Sequence, residues 1–177
     1  MYEKAFYVDM KLCGFFNRAC HYNIIKKMFS VISRLGNGFF WYALMVLLPI
    51  FNGTEAIMVV VQMIVTGLSG TLVYLYLKKS TKRPRPYAVN GGIELGTKPL
   101  DQYSFPSGHT LHAIGFSTIV GYYYPEFIAF LIPISILVAV SRMILGLHYP
   151  SDVLVGAVIG FTTATITLST FNGLLTT

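Results

Sequence analysis

Apolar residues gather in five runs, at about 39–51, 56–77, 110–124, 127–147 and 153–171, separated by polar or glycine-rich breaks. A membrane-spanning helix needs about 20 mostly apolar residues, and the second, fourth and fifth runs approach that length unaided. The first reaches it only by extension back through Gly36 and Asn37 toward Phe29, and the third only through Pro106-Ser107-Gly108-His109. Both extensions draw polar groups toward hydrocarbon, where ionisable side chains mark function. Residues 2–34 alternate clusters such as Leu12, Phe15 and Phe16 with Lys4, Lys11, Arg18, Lys26, Lys27 and Arg34, which predicts amphipathic helices lying on the bilayer surface. Residues 78–106 carry Pro84, Pro86, Pro99, Pro106 and the Gly91-Gly92 pair, predicting a loop without long regular structure. A loop of that length in a compact chain is usually functional. The expected fold is all-α: a polytopic transmembrane bundle of about five spanning helices plus N-terminal amphipathic surface helices, in one membrane-embedded domain over residues 1–177.

Composition agrees, since 54% hydrophobic and 11% charged residues do not suit an ordinary soluble domain of this size. The net charge of +6 suits anionic lipid or an anionic substrate, and the hydropathy argues against nucleic acid. Cys13 and Cys20 have neither metal-ligand spacing nor a disulfide framework and read as inert. Lys4, Asp9, Lys11 and Arg18 interrupt any signal-peptide core, so no cleavage is expected. Five crossings put the end of the second span, the start of the third, the end of the fourth and the start of the fifth on one membrane face. All 13 Lys and Arg fall on that face, and the positive-inside tendency favours the cytoplasmic side of an inner (plasma) membrane.

Those four ends also hold the candidate chemistry. The first reads Lys78-Lys79-Ser80-Thr81-Lys82-Arg83-Pro84-Arg85-Pro86, which alone would be a snorkelling basic cluster. The second reads Phe105-Pro106-Ser107-Gly108-His109-Thr110, an ordinary helix start with Ser107 as N-cap, except that free amides and Gly108 there also make an anion site. The third joins Ser141-Arg142 to His148-Tyr149-Pro150-Ser151-Asp152. Arg142 needs a partner or a polar pocket at that depth, and a structural ion pair with Asp152 is one solution. Alternatively Asp152, near the start of the last helix, holds one ring nitrogen of His148 and points the other at a substrate. Converging on one face, these groups suit a phosphate or similar oxyanion.

In order, the chain carries Lys78, six residues, then Arg85-Pro86; Pro106-Ser107-Gly108-His109; and Ser141-Arg142, five residues, His148, three residues, Asp152. This resembles the three-part signature of the type-2 phosphatidic acid phosphatase family, with the motifs spanning residues 78–152. The departure is N-terminal, where members commonly have six spans. The resemblance implies a metal-independent lipid phosphatase with no cofactor, acting on a lipid phosphate substrate among membrane lipids. His148 would be the nucleophile forming a phosphohistidine, Asp152 its orienter and His109 the general acid and base. Lys78, Arg85, Ser107, Gly108 and Arg142 would hold the phosphate. Polyprenyl diphosphate, phosphatidylglycerol phosphate, phosphatidic acid and a phosphorylated glycolipid all remain candidate substrates. A phosphotransferase using the same intermediate and a non-catalytic lipid-binding protein are the alternatives; a haloperoxidase would share the anion site but not the spans.

Other features read as structural. Trp41, Tyr42 and Tyr122-Tyr123-Tyr124 look like interfacial belt residues. Lys79, Lys82 and Arg83 look like headgroup-attracting charges, His21 a surface residue and His112 a neighbour of the pocket rim. The Gly156 and Gly160 spacing reads as incidental. Nothing in the sequence specifies an oligomer.

Overall fold

The computed structural model describes residues 2–175, and among them every regular element is helical. The chain runs through α1 (Tyr2–Asn17), α2 (Asn23–Leu35), α3 (Phe39–Asn52), α4 (Glu55–Thr81), the single turn α5 (Pro86–Val89), α6 (Gly108–Tyr123), α7 (Ile128–Ile144) and α8 (Pro150–Leu175). Three runs, Glu55–Val89, Pro125–Ile144 and Pro150–Gly173, are long and apolar enough to cross a membrane. The pair α2 and α3 makes a fourth only as a bent unit, with 49° between its halves. The bend falls at Gly36-Asn37-Gly38, where Gly38 has φ +116, and a Cβ there would meet the Tyr42 ring at 2.7 Å.

Helix α6 is the third apolar run and is short for a lipid-facing span. Its 16 residues rise about 24 Å, against a hydrocarbon core of about 30 Å. It lies at the centre of the bundle instead, packed on α4, α7 and α8. That central position explains its weak amphipathicity: Leu111, Ala113, Phe116, Ile119 and Val120 are buried all round it. The outer helices show the opposite pattern, with Leu72, Leu154, Phe161 and Ile166 each more than half exposed. Contiguous apolar surface of this kind suits lipid rather than water. Inside, polar pairs tie the helices together: Gln62 donates to the Tyr123 hydroxyl at 2.7 Å, Thr66 to Thr167 at 3.1 Å, and Ser117 and Ser135 lie at 2.9 Å.

Several expectations need correction. Gly156 and Gly160 are not incidental, because they form the crossing of α8 on α6. A Cβ on Gly160 would sit 2.2 Å from the Leu111 carbonyl oxygen, and one on Gly156 2.5 Å from that of Ser107. Trp41 is not a belt residue; it is 1% exposed and wedged between Phe40 and Phe116, with ring centroids at 4.8 and 5.5 Å. The N-terminal helices do not merely rest on the bundle. Asn17 of α1 donates from Nδ2 to the carbonyls of Ile144 and Glu94, and its Oδ1 accepts from the Glu94 amide. The basic stretch at 78–81 is helical, since α4 runs to Thr81 and the loop begins only after it. Cys13 is buried against the His148 carbonyl, and burial pushes its thiol up to about 12, in keeping with an inert cysteine.

Gly160→Val is expected to cost about 1–3 kcal/mol by overpacking the α6–α8 crossing, read as a lower thermal unfolding midpoint in detergent. An unchanged midpoint would mean that these helices are held apart in solution.

Candidate active site

One end of the bundle gathers the ends of α4, α6, α7 and α8, and the site is built there. Lys78 lies in the last turn of α4, where its ammonium donates to Asp101 Oδ1 at 2.5 Å and to the Tyr103 carbonyl at 2.9 Å. Arg85 stands just before the proline that opens α5, and its guanidinium takes the same carboxylate at 2.9 Å and the Leu147 carbonyl at 2.8 Å. Arg142, in the last turn of α7, is 3% exposed; its guanidinium donates to the Ser33 hydroxyl of α2, and its Nε is buried without a partner. Among the described residues no carboxylate reaches it, so the alternative of an Arg142–Asp152 ion pair is not what forms.

His148 sits in the turn between α7 and α8. That turn requires Gly146, which has φ +69 and whose Cβ would strike the Glu94 carbonyl oxygen at 2.6 Å. The imidazole is almost fully buried, with Nε2 3.3 Å from Arg85 and Nδ1 3.6 Å from Asp152 Oδ2. At 3.6 Å the latter is an ion-pair approach rather than a formed hydrogen bond. Burial, reinforced by Arg142, Arg85 and Lys78, pushes this imidazole well below its ordinary value, which favours the neutral form. Burial works to raise the Asp101 carboxyl, but the Lys78 hydrogen bond and the charges of Lys78 and Arg85 outweigh it and hold it below the usual carboxylate range.

Ser107 caps α6, its hydroxyl 2.9 Å from that of Thr110, and its amide donates to the Asp152 carbonyl at 3.0 Å. It is fully buried and faces away from the cavity, whereas Gly108 and His109 on the first turn line it. His109 Nε2 meets the Asn37 side-chain oxygen, so the elbow between α2 and α3 supplies a partner that no spacing rule marks. His112 also lines the cavity, hydrogen-bonded to Thr71 at 3.1 Å.

The cavity holds about 390 Å³. Lys78, Arg85, Arg142, His109, His148 and Gly108 line one end, and Tyr42, Met45, Met63, Ile64 and Leu68 of α3 and α4 line the other. Of the eight residues predicted from sequence, these six meet at one void, while Ser107 and Asp152 stand directly behind it. Chemically the polar end is a cationic cradle with the His148 and His109 rings against it, suited to an oxyanion.

Arg83 departs most from expectation. It is not a free surface charge: its guanidinium bridges Asp152 Oδ1 and Asp9 Oδ2, each at 2.6 Å, and stacks 3.9 Å over the Tyr149 ring. Asp152 Oδ2 is taken by the Tyr149 amide at 2.9 Å. Asp9 of α1 also accepts from the Ser151 amide at 3.0 Å, capping the first turn of α8 from another helix. Position 83 follows three lysines in a basic run, and charge alone cannot separate the arginine that turns inward from the cations that do not. Lys79 and Lys82, by contrast, remain exposed.

Comparison with known proteins bears on the fold and the family. LpxE of Aquifex aeolicus has the same fold, with a TM-score of 0.80, 29% identity, and coverage of 90% of this chain and 93% of that one. A transmembrane PAP2-type phosphatidylglycerolphosphate phosphatase from Bacillus subtilis superposes with a TM-score of 0.72 at 20% identity, over 92% of this chain and 86% of that one. Among curated relatives, a decaprenylphosphoryl-5-phosphoribose phosphatase of Mycobacterium tuberculosis is 31% identical over 99 residues, 55% of this chain and 52% of its own. An undecaprenyl-diphosphatase of Sulfolobus acidocaldarius is 31% identical over 133 residues, 73% of this chain and 62% of its own. The chain thus spans about half the length of the mycobacterial relative and under two thirds of the archaeal one. Residues 55–174, well over half of the chain, match the PAP2 superfamily from the start of α4 almost to the end of α8, and the protein belongs to that family.

Proposed function

We propose that this protein is a membrane phosphatase that removes a phosphate from a lipid through a phosphohistidine on His148, without a metal ion or other cofactor. The observation that carries the proposal is one cavity with two imidazoles and three cations at its polar end and apolar side chains of α3 and α4 at the other. A soluble phosphate ester has no use for the apolar end, and a lipid without phosphate has none for the polar end. The two curated relatives are named for polyprenyl-linked phosphates, which favours that class of substrate.

In the first step His148 Nε2 attacks phosphorus while Lys78, Arg85, Arg142 and the Gly108 amide hold the phosphate oxygens. The bond from phosphorus to the lipid-side oxygen breaks, and that oxygen takes a proton from His109. Water then attacks the phosphohistidine, giving a proton to His109 as the phosphorus–nitrogen bond breaks and its electron pair returns to His148. The cations do the charge stabilisation that a metal pair performs in other phosphoryl-transfer sites. Asp152 stabilises the Nδ1–H of His148. Its 3.6 Å approach is of the loose kind that tightens when substrate binds. Arg83 is a positioning residue, since it fixes one Asp152 oxygen and leaves the other toward the ring. Ser107 contributes by capping α6 and holding the Gly108 amide in place.

On this reading the five passages of the bundle are α2–α3 as one bent unit, α4, the short enclosed α6, α7 and α8, in a single domain. The N-terminal helices join the bundle at the catalytic end through Asp9, Asn17 and Ser33. All 13 cations therefore belong to one side, which supports a cytoplasmic active site in the inner membrane.

His148→Ala is expected to abolish phosphate release from lipid phosphates by the purified protein. His109→Ala should slow a lipid monophosphate far more than a diphosphate, whose departing phosphate needs less proton help. Wild-type rates for the first, or equal losses across both substrate classes for the second, would overturn these roles. Arg83→Met should lower kcat roughly 10- to 100-fold, the range seen when a partner behind a catalytic group is lost, with KM little changed and partial recovery in Arg83→Lys. A rise in KM with kcat intact would make Arg83 a binding residue instead. Finally, a cysteine at exposed position 79 should resist a membrane-impermeant maleimide in intact cells and react after permeabilisation; labelling of intact cells would invert the orientation.

A further inference from the structure

Next to the main cavity lies a second one of about 290 Å³ that shares Asn37, Leu100 and Arg142 with it. Its remaining walls are Ser33 and Arg34 from α2 and Thr97 and Lys98 from the loop. Three cations line it and no carboxylate does. The contrast with the main cavity is informative, because there Asp101 lies between Lys78 and Arg85 and neutralises part of their charge. Arg142 has no such partner. It is more than nine-tenths buried, and among the described residues its guanidinium bonds to Ser33 while Nε is unsatisfied. Arg34 donates only to Ser30, at 3.3 Å, and among the described residues neither Arg34 nor Lys98 forms an ion pair with a carboxylate. Arg142 is buried while Arg34 and Lys98 are exposed at the rim, so like charges face one space and an anion entering it would relieve their repulsion.

The side on which this second cavity lies follows from His109. The ring that would give its proton to the leaving group touches Asn37, and Asn37 is a wall common to both cavities. A group protonated by His109 would depart close to this shared wall, within reach of the cavity that Arg34 and Lys98 line. A lipid alkoxide departing there would meet cations and hydroxyls; a departing phosphate would meet the charge it needs.

We propose that this second cavity is a subsite for a second phosphoryl group, so that the preferred substrate class is a lipid diphosphate whose terminal phosphorus faces His148. Arg142 serves both phosphoryl groups, and Arg34, Lys98 and the Thr97 hydroxyl serve only the one that departs. The inference rests on the phosphatase reading above and narrows its substrate. The same cations would also attract an anionic bilayer headgroup, and two arms of one experiment separate the sources.

In the first arm, calorimetry on the purified full chain in neutral detergent measures the binding of pyrophosphate and orthophosphate, which requires no turnover. Replacing Lys98 and Arg34 together by Ala should raise the ratio of pyrophosphate Kd to orthophosphate Kd about tenfold, equivalent to about 1.4 kcal/mol, and Lys98→Glu should raise it further. An unchanged ratio, or parallel weakening of both anions, overturns the proposal. In the second arm, the protein is placed in phosphatidylcholine vesicles with and without phosphatidylglycerol. If the substitutions alter only the response of the protein to phosphatidylglycerol and leave the pyrophosphate ratio alone, the cavity holds a headgroup and the proposal fails. Absence of phosphate release from every lipid phosphate tested would instead defeat the phosphatase reading, while the anion-binding ratio still decides the subsite.

Discussion

The structure turns on the burial of positive charge beside hydrocarbon. Lys78, Arg85 and Arg142 are each at most 5% exposed, yet they stand at helix ends that border lipid-facing surface. An arginine held in that setting costs roughly 2.5 kcal/mol or more unless it finds partners or a wet cavity. Among the described residues one carboxylate, Asp101, serves the first two cations and none serves the third. The protein compensates with backbone carbonyls of Tyr103 and Leu147, the Ser33 hydroxyl and an open cavity of about 390 Å³ beside them. Leaving Arg142 short of counter-charge would be wasteful in a purely structural cluster. It is reasonable where an oxyanion completes the set.

That arrangement explains why the helices outside the matched family region are docked rather than loose. The match begins at residue 55, but α1 and α2 supply Asp9, Asn17, Ser33 and Asn37 to the catalytic end. Asp9 balances Arg83, Ser33 satisfies Arg142, Asn37 meets His109, and Asn17 pins the end of α7 to the loop. Each is a short polar side chain that supplies a hydrogen-bond partner at this end of the bundle, where a buried polar group left unpaired costs more than the bond itself gains. Shared dependence of this kind makes the N-terminal helices part of the site's framework rather than a membrane anchor.

Much of this was legible in the sequence because the chemistry recurs at fixed spacing. The intervals among Lys78, Arg85, Ser107, His109, Arg142, His148 and Asp152 identify the groups, and the apolar runs give the helices that carry them. What the sequence did not reveal depends on direction rather than identity. Arg83 and Lys82 are adjacent cations, and only the backbone turn after α4, where Lys82 adopts φ 45, decides which one points inward. Gly156 and Gly160 gain meaning only once α8 is laid against α6. Trp41 has a belt residue's chemistry, but the elbow at Gly36–Gly38 swings it into the core. The third apolar run has the composition of a spanning helix and falls short in length because it is enclosed by other helices and has no lipid of its own to match.

The elbow also links the two cavities. A straight helix from Asn23 to Asn52 would carry Asn37 and Trp41 along one continuous rod, and the chain could not turn the amide toward His109 while burying the indole under Phe116. Breaking the helix at two glycines costs helix stability of about 1 kcal/mol each, yet it lets one segment serve three surfaces. The end of α2 presents Ser33 and Arg34 to the cationic cavity, the break presents Asn37 to both cavities, and α3 presents Tyr42 and Met45 to the apolar end. A substrate with an anionic head and an apolar tail needs surfaces of opposite character within a few residues of each other. A bent helix provides them more directly than a straight one.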